Sequence, residues 1–208
     1  MSILVEIGNA LEKGKRKLVL EYVQKALDEG IAPQTILTEG LLPGMDRVGV
    51  KFRDNEIFVP EVLVAARAMN AGSEMLKPLM ADGSATALGT AVIGTVKGDL
   101  HDIGKNLVKM MIEGKGINVI DLGVDVEPET FVKAAIENNA GIICCSALLT
   151  TTMPVMAEVV KAVKDAGLSA KVMVGGAPIT QEFADSIGAD AYTSDAASAA
   201  IKAAELLA

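Results

Sequence analysis

Tryptophan is missing from this 208-residue chain, and only four Phe and two Tyr are present. Ala, Val, Ile, Leu and Met must therefore fill the core, which suits helical and α/β layers. There is one histidine, so a zinc centre built from three or four protein ligands has too few imidazoles to draw on. The two cysteines, Cys144 and Cys145, are adjacent. On a strand they point to opposite faces, where a bridge between them is strained. Two buried, reduced thiols are expected, and with them a cytoplasmic location. Positive charge is also short: 19 Lys and Arg stand against 27 Asp and Glu, for a net charge of −8. The densest basic stretch, Lys13, Lys15, Arg16 and Lys17, reads as a solvated helix face, and no nucleic-acid partner is expected. No apolar run reaches the length of a membrane span, and Met1–Glu6 lacks the basic start and long apolar core of a signal peptide. No membrane association is expected. Phosphate-binding motifs of the GxxxxGK[ST] and GxGxxG types are absent. No Cys–His or Ser–His arrangement supports a hydrolase.

What is present falls into two halves of different periodicity. In the first, Ile3, Ile7 and Leu11 share one helix face that ends near Gly14. Leu18, Tyr22 and Ala26, flanked by Val19, Val23 and Leu27, form a second pattern closed by Gly30. Pro33 opens a third with Ile36, Leu37 and Leu41; Pro43-Gly44 predicts a kink or break before Met45, Val48 and Phe52 resume it. Pro60 starts the strongest helix, with Val62, Ala65, Ala66, Met69, Met75, Leu76 and Leu79 on one side. The expected product is a small helical bundle over 1–84, followed by a linker at Ala81–Thr86. The second half, 88–208, alternates apolar runs with helical patterns. The runs are Thr90–Val96, Ile117–Leu122, Gly141–Ser146, Val172–Val174 and a weak Ala189–Tyr192. Helical patterns lie near Gly104–Glu113, Pro128–Asn138, Met153–Ala166, Gln181–Ser186 and Ala196–Leu207. This predicts a flavodoxin-like, Rossmann-type sheet of five parallel strands covered on both faces. The fold class expected is thus an α domain followed by an α/β domain. In such sheets ligands bind beyond the C-terminal strand ends.

The loops at those ends carry the unusual residues. After the first strand come Lys97-Gly98-Asp99-Leu100-His101-Asp102-Ile103-Gly104. A neutral imidazole ligates cobalt, zinc, copper or iron, and a ligating imidazole needs an acceptor on its other nitrogen. Asp99, two residues away, is placed to be that acceptor. A metal with one protein ligand must be held mainly by something else, such as a macrocycle. Gly98 and Gly104 allow a planar ligand to approach the backbone. From this loop alone, a histidine that caps a helix N-terminus is an equally good reading. Ser146–Thr152 after the third strand is rich in hydroxyls and suits a polar ligand tail or a helix cap. Gly175-Gly176 after the fourth leaves room beside the sheet or forms a tight turn. An acidic pocket built from Asp99 and Asp102, as in a response regulator, leaves His101 and the glycines unexplained.

Asp99-x-His101-x-x-Gly104, Ser146-x-Leu148 and Gly175-Gly176, in this order, resemble the signature of corrinoid proteins that bind cobalamin base-off and histidine-on. The first half joins the resemblance. Glu39-Gly40, Arg47-Val48-Gly49 to Phe52, and Phe58–Val62 through Ala65–Met69 look like the helical cap of cobalamin-dependent methionine synthase and of small methyl-carrying corrinoid proteins. The resemblance implies a cobalamin or related cobamide in its methylcobalamin state, with His101 as the cobalt ligand. Asp99 then holds His101, and Thr152, where methionine synthase has Ser, completes the relay. Gly98, Leu100, Asp102, Ile103 and Gly104 border the cofactor. Ser146, Leu148, Thr150, Gly175, Gly176 and Ala196 surround its nucleotide tail. Glu39, Phe52, Val59 and Val62 lie over its reactive face, with Val59 smaller than the usual Leu. The function implied is a non-catalytic carrier that cycles between Co(I) and methyl-Co(III). Its partners are a substrate:corrinoid methyltransferase, a corrinoid:acceptor methyltransferase acting on tetrahydrofolate or a thiol, and a reductive activase. The cap must then move, and the linker is the expected hinge. A cobalamin-binding subunit of an adenosylcobalamin mutase and a B12-sensing regulator are the alternatives within the same resemblance. The methyl donor (methanol, a methylamine, betaine or an aromatic methyl ether) is left open by the sequence.

Overall fold

A computed structural model describes residues 2–80 and 88–208. By internal contacts the chain divides into two compact units; the second comprises Leu88–Glu113 and Ile117–Ala208. The linker expected at Ala81–Thr86 lies outside the described residues.

The first unit is helical. Helix α1 spans Ile3–Glu12 and α2 spans Arg16–Asp28. The short α3, Pro33–Thr35, runs into a π-helical segment, Ile36–Leu41, and then α4, Leu42–Arg53. A kink or break was expected at Pro43-Gly44; the chain stays helical through Pro43, so no break forms there. Proline is tolerated in the first turn of α4, where its missing N–H breaks no ladder, and the irregularity is taken up by the wider π turn before it. Helices α1 and α4 meet backbone to backbone: a Cβ on Gly44 would lie 2.9 Å from the Gly8 Cα. Arg47 reinforces this crossing. Its Nε donates to Glu12 at 2.7 Å and another guanidinium nitrogen donates to the Pro43 carbonyl at 3.1 Å. Helix α5, Val59–Leu76, buries Val62, Ala65, Ala66, Ala68, Met69, Gly72 and Leu76. Leu79, expected on that face, is exposed, because α5 ends at Leu76 and a 3-10 turn, Lys77–Leu79, redirects the chain. Ile7, Leu11, Val19, Val23, Ile36 and Leu41 are fully buried, each contributing roughly 1.5–3 kcal/mol by transfer from water.

The second unit is a parallel sheet ordered β2-β1-β3-β4-β5. Its strands are β1 Thr90–Thr95, β2 Asn118–Asp121, β3 Ile142–Ser146, β4 Lys171–Gly175 and β5 Ala191–Tyr192. The connecting helices are α6 Ile103–Glu113, α7 Pro128–Glu137, α8 Met153–Asp165 and α9 Gln181–Ile187, and α10 Ala196–Leu207 closes the chain. This is the expected doubly wound order, with its switch between β1 and β3. Strand β3 reads Ile-Ile-Cys-Cys-Ser and is buried along all but its last residue, as a central parallel strand covered on both faces must be. Cys144 and Cys145 are both free and buried. Among the described residues no helix is long and apolar enough to cross a membrane.

Candidate cofactor site

Register places the three unusual loops side by side. Thr95 pairs with Ser146, and Ser146 pairs with Gly175, so β1, β3 and β4 end in one row. The Val96 amide donates to the Ser146 carbonyl at 3.0 Å and the Ala147 amide to the Gly175 carbonyl at 3.2 Å, which extends the row into the loops.

Asp99 is the hub of these loops and is fully buried. Its Oδ1 lies 2.7 Å from His101 Nδ1 and accepts the His101 amide at 3.1 Å. Its Oδ2 accepts the Leu148 amide at 2.7 Å and the Leu149 amide at 3.2 Å, and lies 3.0 Å from the Thr152 hydroxyl. Thr152 is also buried, and its hydroxyl is 2.8 Å from the Leu149 carbonyl, so its single proton serves one acceptor at a time. Burial works to raise the Asp99 pKa. The hydrogen bonds from Leu148, His101 and Thr152 outweigh it and hold the carboxyl well below the usual carboxylate range. A fixed carboxylate on Nδ1 selects the tautomer whose Nε2 carries a lone pair. The His101 side chain is 52% exposed, and its Nε2 makes no hydrogen bond among the described residues.

The surroundings suit a broad, partly apolar ligand. Leu100 and Ile103 flank His101 at 71% and 81% exposure, and Leu148 and Leu149 are also exposed. Gly98, Asp102, Gly104 and Thr150 are exposed as well. Gly176 has φ +138, and a Cβ there would stand 1.8 Å from the Ala147 carbonyl oxygen, so only glycine fits. At Gly175 the nearest atom to a Cβ would be the Thr193 carbonyl at 3.9 Å, which leaves space beyond the sheet. Ala196 is buried in the first turn of α10, whose N-cap Asp195 accepts the Ser198 amide. Of the residues expected over the reactive face, all lie in the first unit. Glu39, on the π-helical segment, and Val59 are exposed, Phe52 is half-buried and Val62 is fully buried.

Four polar or charged residues are buried among those described: Thr95, Asp99, Lys105 and Thr152. Asp99 and Thr152 were expected at the site; Thr95 and Lys105 were not. Thr95 donates to the His101 carbonyl at 2.8 Å. Lys105 reaches Asp121 at 2.7 Å, at the end of β2. A third unforeseen residue, Asp125, accepts the Gly98 amide at 2.7 Å and donates its own amide to the Asp99 carbonyl. A threonine at the C-terminal end of a largely apolar strand was the available signal for Thr95; nothing local singles out Asp125.

A parallel sheet with its switch point beside a carboxylate-held imidazole, glycine-lined on one side, defines an α/β protein whose candidate ligand site lies at the C-terminal strand ends. Comparison with known proteins makes this specific. Residues 89–202 match the B12 binding domain family, and residues 3–77 match a second B12 binding domain family. The chain is 47% identical to dimethylamine corrinoid protein 1 of Methanosarcina acetivorans, covering 99% of this chain and 98% of that one. It superposes with a TM-score of 0.90 and 31% identity on the methanol:cobalamin methyltransferase complex MtaBC from Methanosarcina barkeri, covering 99% of this chain and 79% of that one. A cobalamin-binding protein from Desulfitobacterium hafniense DCB-2 gives a TM-score of 0.81 at 31% identity, with 98% of each chain covered. The chain belongs to the corrinoid proteins of methyltransferase systems, and its cofactor is cobalamin or a related corrinoid.

Proposed function

We propose that this chain carries a methyl group, on a corrinoid ligated by His101, from a methylamine-specific methyltransferase to a second methyltransferase. The observation that carries the ligand assignment is the 2.7 Å contact between His101 Nδ1 and the buried Asp99, on a half-exposed side chain whose Nε2 makes no hydrogen bond among the described residues. The donor assignment rests on the 47% identity to a dimethylamine corrinoid protein over nearly the whole chain. The partner assignment draws on the likeness to a corrinoid protein solved with its methanol methyltransferase.

When bound, the corrinoid supplies a cobalt able to accept a methyl group and to yield it again. The protein's part is orientation and electrostatics. Asp99 holds the Nδ1 proton of His101 and so keeps Nε2 available as a ligand. Thr152 and the Leu148 and Leu149 amides keep Asp99 ionised and still. Leu100, Ile103 and Leu148 offer apolar contact to a macrocycle, while Ser146, Thr150, Gly175, Gly176 and Ala196 border the place for its nucleotide tail.

Two measurements test this. His101→Ala, loaded with cobalamin, should still bind but lose the absorption spectrum of histidine ligation; an unchanged spectrum rules out the ligand assignment. The wild-type holoprotein, in reduced form and mixed with a dimethylamine methyltransferase, should release one monomethylamine per corrinoid. Release from no methylamine, but methyl uptake from methanol, betaine or a methoxylated aromatic, moves the donor assignment to that substrate. Failure with every donor points instead to a mutase subunit or a B12-sensing regulator.

A further inference from the structure

We propose that Thr95 and Asp125 are positioning residues that hold the backbone of the His101 loop, and thereby set how strongly His101 engages the corrinoid. The proposal rests on the ligand assignment above. The loop from Lys97 to Asp102 has no strand or helix of its own to fix it. Asp99 fixes the His101 ring and amide, but its bonds leave the carbonyl of His101 and the entry of the loop unaccounted for. Thr95 and Asp125 meet these two needs. The Thr95 hydroxyl, 1% exposed at the end of β1, donates to the His101 carbonyl at 2.8 Å. Asp125 grips the loop entry twice: Oδ1 accepts the Gly98 amide at 2.7 Å and its amide donates to the Asp99 carbonyl at 3.0 Å.

Asp125 is itself braced. Its φ of +56 is a left-handed conformation that non-glycine residues adopt at a cost, and Asp is among those that tolerate it best. On either side of it, the Thr95 amide donates to the Gly123 carbonyl and the Val126 amide donates to the Thr95 carbonyl, both at 3.0 Å. Gly123 in turn donates its amide to Asp121, the carboxylate that Lys105 reaches from α6. The turn after β2 is thus a brace tied to β1 on one side and to α6 on the other, with the histidine loop between them. A ligand loop that must keep one imidazole within a few tenths of an ångström of its place needs such support.

The test uses four variants, with and without cobalamin. Thr95→Val removes the hydroxyl at constant shape, and Thr95→Ser restores it. Asp125→Gly removes the acceptor while relieving the φ, and Asp125→Asn keeps both an acceptor and tolerance of that φ. In the cofactor-free protein, Asp125→Gly should speed amide exchange at Gly98 about five- to tenfold, the effect of losing one hydrogen bond, with Asp125→Asn close to wild type. In the cobalamin-loaded protein, Thr95→Val and Asp125→Gly should lower the ratio of histidine-ligated to unligated spectrum by about the same factor, with Ser and Asn restoring it. A purely structural role moves the unfolding midpoint and leaves both readouts unchanged, and that result overturns the proposal. Should Thr95→Val fail to fold, the exposed Asp125 decides the matter. Should the wild-type spectrum not depend on His101, the ligand assignment fails, and the exchange rates of Gly98 still judge the brace.

Discussion

Five hydrogen-bond donors converge on the Asp99 carboxylate: the His101 ring and amide, the Leu148 and Leu149 amides, and the Thr152 hydroxyl. The first consequence is redundancy. Thr152→Val, which keeps the shape and removes the hydroxyl, should cost only about 1 kcal/mol in urea denaturation, because two amides still satisfy Oδ2. Thr152→Ser should cost less. A loss of several kcal/mol for the Val variant would show that the hydroxyl, not the amides, holds the carboxylate. The cysteines make a contrasting pair of buried groups. Burial pushes the Cys144 thiol up to about 12 and Cys145 well above its usual value. Neither should react with iodoacetamide at pH 8 in the folded protein, and both should in denaturant. Labelling of either in the native state would contradict their burial. At this scale the sequence was informative where chemistry is local. The two-residue offset of Asp99 and His101 is visible by eye, and the contact is made. Leu148 was expected as a lining side chain, and its amide to Asp99 was not, because a backbone donor leaves no trace in residue type. Asp125 was invisible for a similar reason: its role depends on a tertiary contact across 27 residues of sequence.

Elements were legible to the extent that their signals were periodic or capped. Helix α10 begins and ends where its small apolar residues predicted, behind an Asp195 N-cap. No break forms at Pro43, because the proline falls in the first turn of α4, where its missing N–H costs no helical hydrogen bond; the π turn at Ile36–Leu41 before it had no signal in residue type. Between elements, the tie that matters most to the site joins α6 to β2. The Lys105 side chain is 2% exposed and meets Asp121 at 2.7 Å, and Lys109 meets the same carboxylate at 3.2 Å. Burial acts to raise the Asp121 pKa, but Lys105, the Gly123 amide and Lys109 lower it further than burial raises it. A carboxyl with a depressed folded pKa stabilises above its unfolded value of roughly 3.9 and loses that contribution as pH falls through the folded value. Asp121→Asn should therefore be less stable than wild type by about 2 kcal/mol at pH 7, a gap constant down to about pH 5. The gap should close as pH falls below about 4. Denaturant midpoints for both proteins between pH 7 and pH 2 check this, and a gap undiminished over that whole range would assign the loss to packing.

On the scale of the whole molecule, the site of the second unit follows from topology more than from any single motif. The order β2-β1-β3-β4-β5 puts the ends of β1, β3 and β4 next to one another, and register aligns Thr95, Ser146 and Gly175 in one row. Motifs separated by tens of residues become one surface for that reason. The alternation of strands and helices announced this sheet, while the register that aligns its loops could be read only from the structure. A ligand spanning that row draws its affinity from several loops, so the two adjacent glycines should fail in different ways. Gly176→Ala drives a Cβ into the Ala147 carbonyl at a φ that alanine avoids, and should destabilise the protein itself by more than about 3 kcal/mol. Gly175→Leu meets nothing closer than 3.9 Å at its Cβ, so the cofactor-free protein should unfold within a few degrees of wild type. Its side chain, however, fills the space beside the sheet in which the proposed nucleotide-tail pocket lies. Saturating cobalamin at about 100 times its dissociation constant stabilises a single-site protein by about 2.7 kcal/mol. In thermal denaturation that stabilisation should be present in wild type, largely retained in His101→Ala, and lost in Gly175→Leu. The reverse ranking, with His101→Ala abolishing the shift and Gly175→Leu keeping it, would mean that the metal–histidine bond rather than the tail pocket dominates binding.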